Sequence, residues 1–373
     1  MTPAQHAKTP IALVYWGRLG AGAVLMQQIS EAFADDERFE TYASPSLQSE
    51  TQIEAKNVKL IPIETFAGAI SLAVRTLLLP FTVRRLVRQM SAAGIKAIVT
   101  IMPHVWGGAL QRSAARAGIK TFIIVHDADP HPGETRPLFE RVVTREIRGS
   151  DRIVTLSDHV ADRVLARGDA TAPRLIRLFH PIFHFTAEPD IEAHPAKPFR
   201  LLFFGRILPY KGVPMLLDAF ARLRAAGVDC TLRVVGRGEI DAPSQLMIQR
   251  GLSVETGWVA PDAIGGILAS ADAIVLPYLE ASQSGVIAAA YGAGLPVVAT
   301  PTGGLREQVI EGETGILAAD ATAETMANAI RRIIETPGLY DACRKGVAAY
   351  ATRHTAAHFA RELGNAVLET IAD

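Results

Sequence analysis

Short apolar runs recur along the chain and alternate with longer stretches in which hydrophobic side chains return every three or four positions. Runs of the first kind read as strands buried on both faces, and the longer period reads as helices packed along one side. In the first half the pattern predicts strands at 11–15, 58–61, 97–101, 120–125 and 152–155. Helices are predicted between them at 22–34, 67–92, 106–117, 136–148 and 158–167. The rhythm breaks over 180–198, where Pro181, Pro189, Pro195 and Pro198 make the best linker. A second set follows, with strands at 200–204, 231–235, 253–257, 273–276, 296–299 and 315–317. Its helices are predicted at 213–226, 243–250, 261–270, 285–293, 304–310 and 322–335. Strict alternation implies right-handed crossovers and parallel sheets covered on both faces. The expected fold class is α/β, two Rossmann-like domains facing across a cleft, the first over 1–183 and the second over 198–352. The closing helices have no strand to follow, and the stretch 353–373 is expected to return to the first domain. Ligands of such sheets lie beyond the carboxyl ends of the strands.

Composition narrows the functional classes. With 373 residues and 49% hydrophobic content there is apolar material for two cores. Thirty-eight basic residues balance 38 acidic ones, which argues against nucleic acid as a partner. Cys230 and Cys343 are too few for a disulfide framework and lack metal-ligand spacing, so a reducing, cytoplasmic setting is expected. The start of the chain is short and polar and runs directly into the strand at 11–15, without the pattern of a signal peptide. The apolar stretch 66–81 is broken by Arg75 and Pro80, and no membrane-spanning helix is expected. Charge is nevertheless uneven. Between Thr65 and His126 there is no acid, whereas eight Lys and Arg residues are present. The segment 73–92 mixes bulky apolar groups with Arg84, Arg85 and Arg88. That is the composition of a helix lying on the inner face of a membrane, or of a core helix with a solvated basic face.

Two segments of the second half carry candidate chemistry. Arg206 and Lys211 follow the strand 200–204, and Ser282-Gln283-Ser284-Gly285 lies between the strand 273–276 and a helix. Cationic side chains on one side and free helix amides on the other are the means of holding a diphosphate, the leaving group of a nucleotide sugar. In the first half, Gly20 and Gly22 at the first strand-to-helix turn permit close approach of a ligand or tight packing. The strand 120–125 ends in His126-Asp127-Ala128-Asp129-Pro130-His131. These side chains suit proton transfer, with Asp127 or Asp129 as acceptor of a hydroxyl proton in an inverting reaction, or ligation of a divalent ion in a metal hydrolase. His104 and His180 are further candidates, and Glu280 faces either a sugar hydroxyl or solvent.

Several ordered motifs resemble the GT-B glycosyltransferases of group one, the retaining family four. They are Phe204-Gly205-Arg206 with Lys211-Gly212, Val234-Val235-Gly236-Arg237-Gly238, Gly257-Trp258-Val259 and Leu276-Pro277-Tyr278. Gly294-Leu295-Pro296-Val297-Val298-Ala299-Thr300 and Thr302-Gly303-Gly304 with Glu307 and Gly315 complete the set. The resemblance implies a metal-independent transferase with no cofactor beyond its donor, moving a sugar from a nucleoside diphosphate to a glycan or lipid-linked hydroxyl. It implies that Arg206 and Lys211 neutralise the diphosphate, with Ser284, Gly285 and Val286 as the amide turn beneath it. Gly20, Gly22, Gly205, Gly236, Trp258 and Val259 would line the rest of the donor site, the base being read by backbone near 257–259, and His126 would lie near the donor sugar. The chain departs from the family pattern at Ala281 and Ala289, where paired glutamates are usual. A non-catalytic nucleotide-sugar binder is the alternative which that departure suggests.

Overall fold

The computed structural model describes residues 7–18, 20–49, 53–130, 137–185 and 197–373. Their contacts fall into two compact units. Unit 1 comprises Met1–Pro130, Thr135–Phe179 and Ala356–Asp373, and unit 2 includes His180–Thr355.

Unit 1 opens with β1 (Thr9–Tyr15), α1 (Ala21–Ala34), β2 (Phe39–Pro45), β3 (Lys59–Leu60) and α2 (Ala69–Ala92). It continues through β4 (Ala97–Thr100), α3 (Gly107–Arg116), β5 (Lys120–Val125), α4 (Pro137–Gly149), β6 (Arg152–Thr155), α5 (Asp158–Ala166) and β7 (Leu175–Arg177). The seven strands are parallel and ordered β3-β2-β1-β4-β5-β6-β7. Leu13 of β1 lies opposite Ala43 on one side and Val99 on the other. β1 and β4 are uninterrupted apolar runs because helices cover both faces there. Val83, Leu86, Val87 and Met90 of α2 join Ala12, Val14 and Ile98 in one core cluster.

β2 was not predicted. Its sequence, Phe-Glu-Thr-Tyr-Ala-Ser-Pro, contains no apolar run, yet the strand is buried, with Thr41 and Ser44 inside. β3 is a two-residue remnant of the strand expected at 58–61, and β7 is an edge strand that the pattern did not mark.

Unit 2 contains β8 (Phe199–Phe204), α6 (Val213–Ala225), β9 (Cys230–Gly236), α7 (Ser244–Met247), β10 (Leu252–Thr256) and α8 (Pro261–Ala269). Then come β11 (Ala273–Leu276), α9 (Gly285–Gly292), β12 (Val297–Ala299), α10 (Leu305–Gln308), β13 (Gly315–Leu317), α11 (Ala323–Glu335) and α12 (Leu339–Arg353). Its six parallel strands are ordered β10-β9-β8-β11-β12-β13, with Leu202 of β8 opposite Ile274 of β11. The last helix, α13 (Ala356–Ala372), belongs to unit 1 and packs on α1. Gly364 provides the fit, since a Cβ there would lie 2.8 Å from the Phe39 ring.

Candidate functional site

Strand order locates the site in each unit. In an open parallel sheet the crossovers reverse direction at one place, and the loops leaving the two strands there splay apart to leave a binding crevice. That place is between β8 and β11 in unit 2, and between β1 and β4 in unit 1.

In unit 2 the loop after β8 carries Arg206 and Lys211, and the loop after β11 carries Tyr278 to Ser284. Gly212 joins the two loops. It adopts φ +66, and a Cβ would lie 1.9 Å from the Pro277 carbonyl oxygen, so only glycine allows this approach. The Leu279 amide then donates to Tyr210 O at 2.8 Å. Tyr278 is the shared neighbour of the predicted cations. The Lys211 ammonium sits 3.5 Å from the centroid of its ring, a cation–π placement. Burial pushes the Tyr278 hydroxyl well above the ordinary phenol range, opposed by the nearby Ser284 side chain and the Arg206 charge. Lys211 thus lies on the buried ring, with Arg206 and Ser284 in the neighbourhood of its hydroxyl.

The turn leading into α9 is held by a residue that the sequence did not single out. Gln308 receives the Ser284 amide proton on Oε1 at 2.8 Å and donates from Nε2 to Ser284 O at 3.2 Å. The Ser284 amide, expected to face a phosphate, is therefore already engaged. The first amides of a helix have no intrahelical acceptors, and in α9 the residues Gly285 and Val286 hold those positions. His180 Nε2 lies 3.7 Å from where a Gly285 Cβ would be. Tyr278 O also accepts from the hydroxyls of Thr300 and Thr302. Ala281 and Ala289 are both buried, so the positions of the usual glutamates are closed by methyl groups. Glu280 is exposed beside them.

Gly205, Gly236 and Gly257 lie side by side at the carboxyl ends of β8, β9 and β10. A Cβ on Gly236 would be 1.7 Å from Gly205 O, and the Gly257 amide donates to Gly236 O at 3.0 Å. Trp258, 52% exposed, and Val259 follow at this end of the sheet.

In unit 1, His126 follows β5 and its Nε2 is 3.0 Å from Ile101 O. Burial lowers its proton affinity, while neighbouring Asp127, which is exposed, and the Ile101 carbonyl act the other way. Asp129 is bound by Arg163 at 2.7 Å and Arg167 at 3.1 Å, which hold its carboxyl below the usual range. It is spoken for as an ion-pair partner, which weakens the metal-hydrolase set. His131 lies outside the described residues, and among those described no group of three His, Cys, Asp or Glu has metal-site geometry. A Cβ on Gly22 would meet the Tyr15 ring at 2.4 Å, so packing accounts for that glycine, whereas nothing lies within 4 Å of a Cβ on Gly20.

His104, after β4, is surrounded by the rings of Trp16, Phe66 and Trp106, with centroids 5.6, 5.7 and 5.6 Å away. Its Nδ1 accepts from the Trp106 amide at 3.2 Å, and its own amide donates to buried Glu146 Oε2 at 3.0 Å. Burial lowers His104 to about 4 and raises Glu146 to about 8.

Comparison with known proteins agrees with this layout. A family model described as "Glycosyl transferases group 1" matches residues 198–336, and one described as "Glycosyl transferase 4-like domain" matches 20–180. A D-inositol 3-phosphate glycosyltransferase of Rhodococcus jostii is 29% identical over 67% of this chain, a match spanning 58% of that relative's length. The fold resembles sucrose-phosphate synthase from Thermosynechococcus elongatus, with TM-score 0.74, 18% identity and coverage of 98% of this chain and 100% of that one. It also resembles an Anabaena protein solved in complex with UDP and glucose, with TM-score 0.71, 18% identity and coverage of 97% and 100%. Together the two models take in most of the chain in the order of its two sheets, and the protein belongs to the group 1 glycosyl transferases, enzymes of the GT-B fold.

Proposed function

We propose that the enzyme transfers a sugar from a nucleoside-diphosphate donor to a hydroxyl of a glycan or lipid-linked acceptor in bacterial-type polysaccharide synthesis. The observation that carries this reading is the arrangement at the β8/β11 crevice, where Arg206 and Lys211 share the Tyr278 ring with the turn that opens α9. As the bond from the sugar to the diphosphate breaks, negative charge grows on the leaving phosphate. Fixed cations and the amides of Gly285 and Val286 stabilise that charge more than they stabilise the bound donor, which is the condition for catalysis. In this reading the leaving group needs no metal. Trp258 and Val259 border the nucleoside, as Gly205 and Gly236 allow backbone to approach it. The Anabaena structure, which holds UDP, supports the choice of donor class.

In unit 1 His126 orients the donor sugar. Retention of configuration passes the acceptor proton to the leaving phosphate, whereas inversion makes Asp127 the base, and the anomer of the product distinguishes them. Glu280 contacts a sugar hydroxyl. The setting is cytoplasmic, at the inner face of a membrane. No helix among the described residues is long and apolar enough to cross one.

Thermal shift with a panel of nucleoside diphosphates and nucleotide sugars tests the reading, because a ligand that binds only the folded state raises its stability. One nucleotide should stabilise the protein with chelator present. Arg206→Ala with Lys211→Ala should remove that shift and lower kcat/KM by about a thousandfold at unchanged melting temperature. Donor affinity unchanged in the double variant, or lost on chelation, would refute it.

A further inference from the structure

The two halves of α2 are different in kind. From Val83 onward its inner face enters the core of unit 1, whereas the half that begins at Ala69 leaves large apolar side chains in solvent. Ile70 is 84% exposed, Leu77 80% and Phe81 71%, with Val74 and Leu78 above half. These five account for nearly half of the large exposed hydrophobic residues among those described.

Their spacing makes one surface. Residues 70, 74, 77, 81, 84 and 88 follow at intervals of four and three, the repeat that keeps side chains in a single stripe along a helix. The stripe is apolar through Phe81 and cationic at Arg84 and Arg88, with Leu78 and Arg85 flanking the two parts in the same order. Of the two expectations for 73–92, a core helix with a solvated basic face describes the second half. Its inner residues belong to the core, and the exposed apolar part starts earlier, at Ile70.

We propose that the Ile70–Val74–Leu77–Phe81 stripe inserts into the interface of a bilayer while Arg84, Arg85 and Arg88 bind its anionic headgroups. Apolar side chains that no element of unit 1 covers need an apolar phase, and a protein partner or a bilayer supplies one. Charge decides between them. Arg84, Arg85 and Arg88 are all exposed, and no acid occurs from 65 to 126, so this surface has its own positive field. A helix carrying apolar and basic groups on one exposed face matches the layered structure of an anionic membrane, hydrocarbon beside phosphate. The inference rests on the membrane setting proposed above, to which it assigns a surface and a lipid charge, and does not depend on which donor is used.

Co-sedimentation of the full chain with vesicles tests it, using phosphatidylcholine alone and with about one third phosphatidylglycerol. Wild type should sediment with the anionic vesicles and much less with the neutral ones, and added salt should weaken binding. Leu77→Glu with Phe81→Glu should reduce partitioning at least about tenfold, and Arg84→Glu with Arg88→Glu should abolish the preference for anionic lipid. Ile248→Glu, in unit 2 and equally exposed, should bind as wild type does. Nucleotide-induced thermal shifts should be the same in all variants, which separates this result from failure of the donor reading. Equal sedimentation of the Leu77/Phe81 variant and wild type would overturn the proposal. So would absence of vesicle binding together with a dimer, seen by analytical ultracentrifugation, that the same substitutions dissolve.

Discussion

The two crevices use opposite materials. At the β8/β11 end two cations lie at a buried phenol, Tyr278, and Gln308 holds the start of a helix by two hydrogen bonds. At the β1/β4 end Trp16, His104 and Trp106 from the corresponding loops pack with Phe66, from the loop before α2, beside a buried acid, Glu146. A diphosphate is one chemical object with fixed charge, so a site for it is built from fixed countercharge and carries recognisable motifs. A sugar or lipid hydroxyl has no such charge and is selected by shape and ring contact, which many side-chain combinations supply. Under the proposed function, the difference explains why the motifs cluster in one half of the chain.

Removing Gln308 breaks the charged crevice without touching a charge. Gln308→Leu leaves the buried Ser284 amide without its partner, at a cost of about 1–3 kcal/mol, and leaves the Ser284 carbonyl with the Ile287 amide alone. The α9 turn then loses its position, and kcat/KM should fall by about one to two orders of magnitude through kcat as well as KM. Gln308→Glu sharpens the comparison. A carboxylate still accepts from the Ser284 amide but cannot donate to its carbonyl, and it brings a negative charge toward a bound diphosphate. That variant should melt closer to wild type than Gln308→Leu does, yet bind nucleoside diphosphate more weakly, as read by calorimetry. Equal donor affinity in both variants and wild type would show that the clamp serves folding alone.

The aromatic crevice is expected to reveal itself in pH dependence. Glu146 stays protonated up to about 8 in the folded protein but ionises near 4.5 when unfolded. Unfolding therefore releases its proton across that window, and the stability it contributes, complete below 4.5, is lost as pH rises to about 8. His104 acts at the acid side. Its affinity is lowered from 6.5 to about 4, so the stability it contributes above 6.5 is lost as pH falls toward 4. Its Nδ1 accepts from the Trp106 amide and cannot take a proton without breaking that bond. Glu146→Gln keeps an acceptor for the His104 amide and removes the ionisable group. It should abolish a fall of roughly 2 kcal/mol between mildly acidic and mildly alkaline solution. Chemical denaturation at a series of pH values measures this, and parallel curves for variant and wild type would place the buried proton elsewhere.

What the sequence revealed and concealed follows the same division. β1, β5 and β11 were legible because strands covered on both faces are written in Ile, Val and Leu. β2 was hidden because its interior positions include Thr41 and Ser44. Arg206 and Lys211 stood out since two cations in a strand-to-helix turn have few structural uses. Gln308 gave no signal, because a side-chain amide shows its role only when its two partners, 24 positions away, are in place. His104 was noticed as a loop residue, but its ring neighbours come from three separate segments. For α2, periodicity reported amphipathicity correctly without showing which half the core would cover. The helix α13 was expected to return to the first domain from the lack of a following strand, and its close approach to Phe39 rests on a detail the pattern does not show, Gly364.

The finest distinction lies between two glycines of the first turn. Gly22→Ala pushes a methyl into the Tyr15 ring and the Met102 sulfur, at 2.4 and 2.8 Å, and should cost about 1–3 kcal/mol as overpacking does. Gly20→Ala meets no atom within 4 Å, so its cost is the backbone alone, φ +90 and ψ −172, a region essentially confined to glycine, about 1–3 kcal/mol. If the open space above Gly20 admits a ligand, Gly20→Ala should raise KM several-fold while Gly22→Ala leaves KM unchanged. Denaturation and steady-state kinetics on the two proteins give both quantities. A KM that follows stability in both would assign the whole Gly-Ala-Gly turn to packing, and the aromatic crevice would then take its ligand through the loops after β4 and β5 instead.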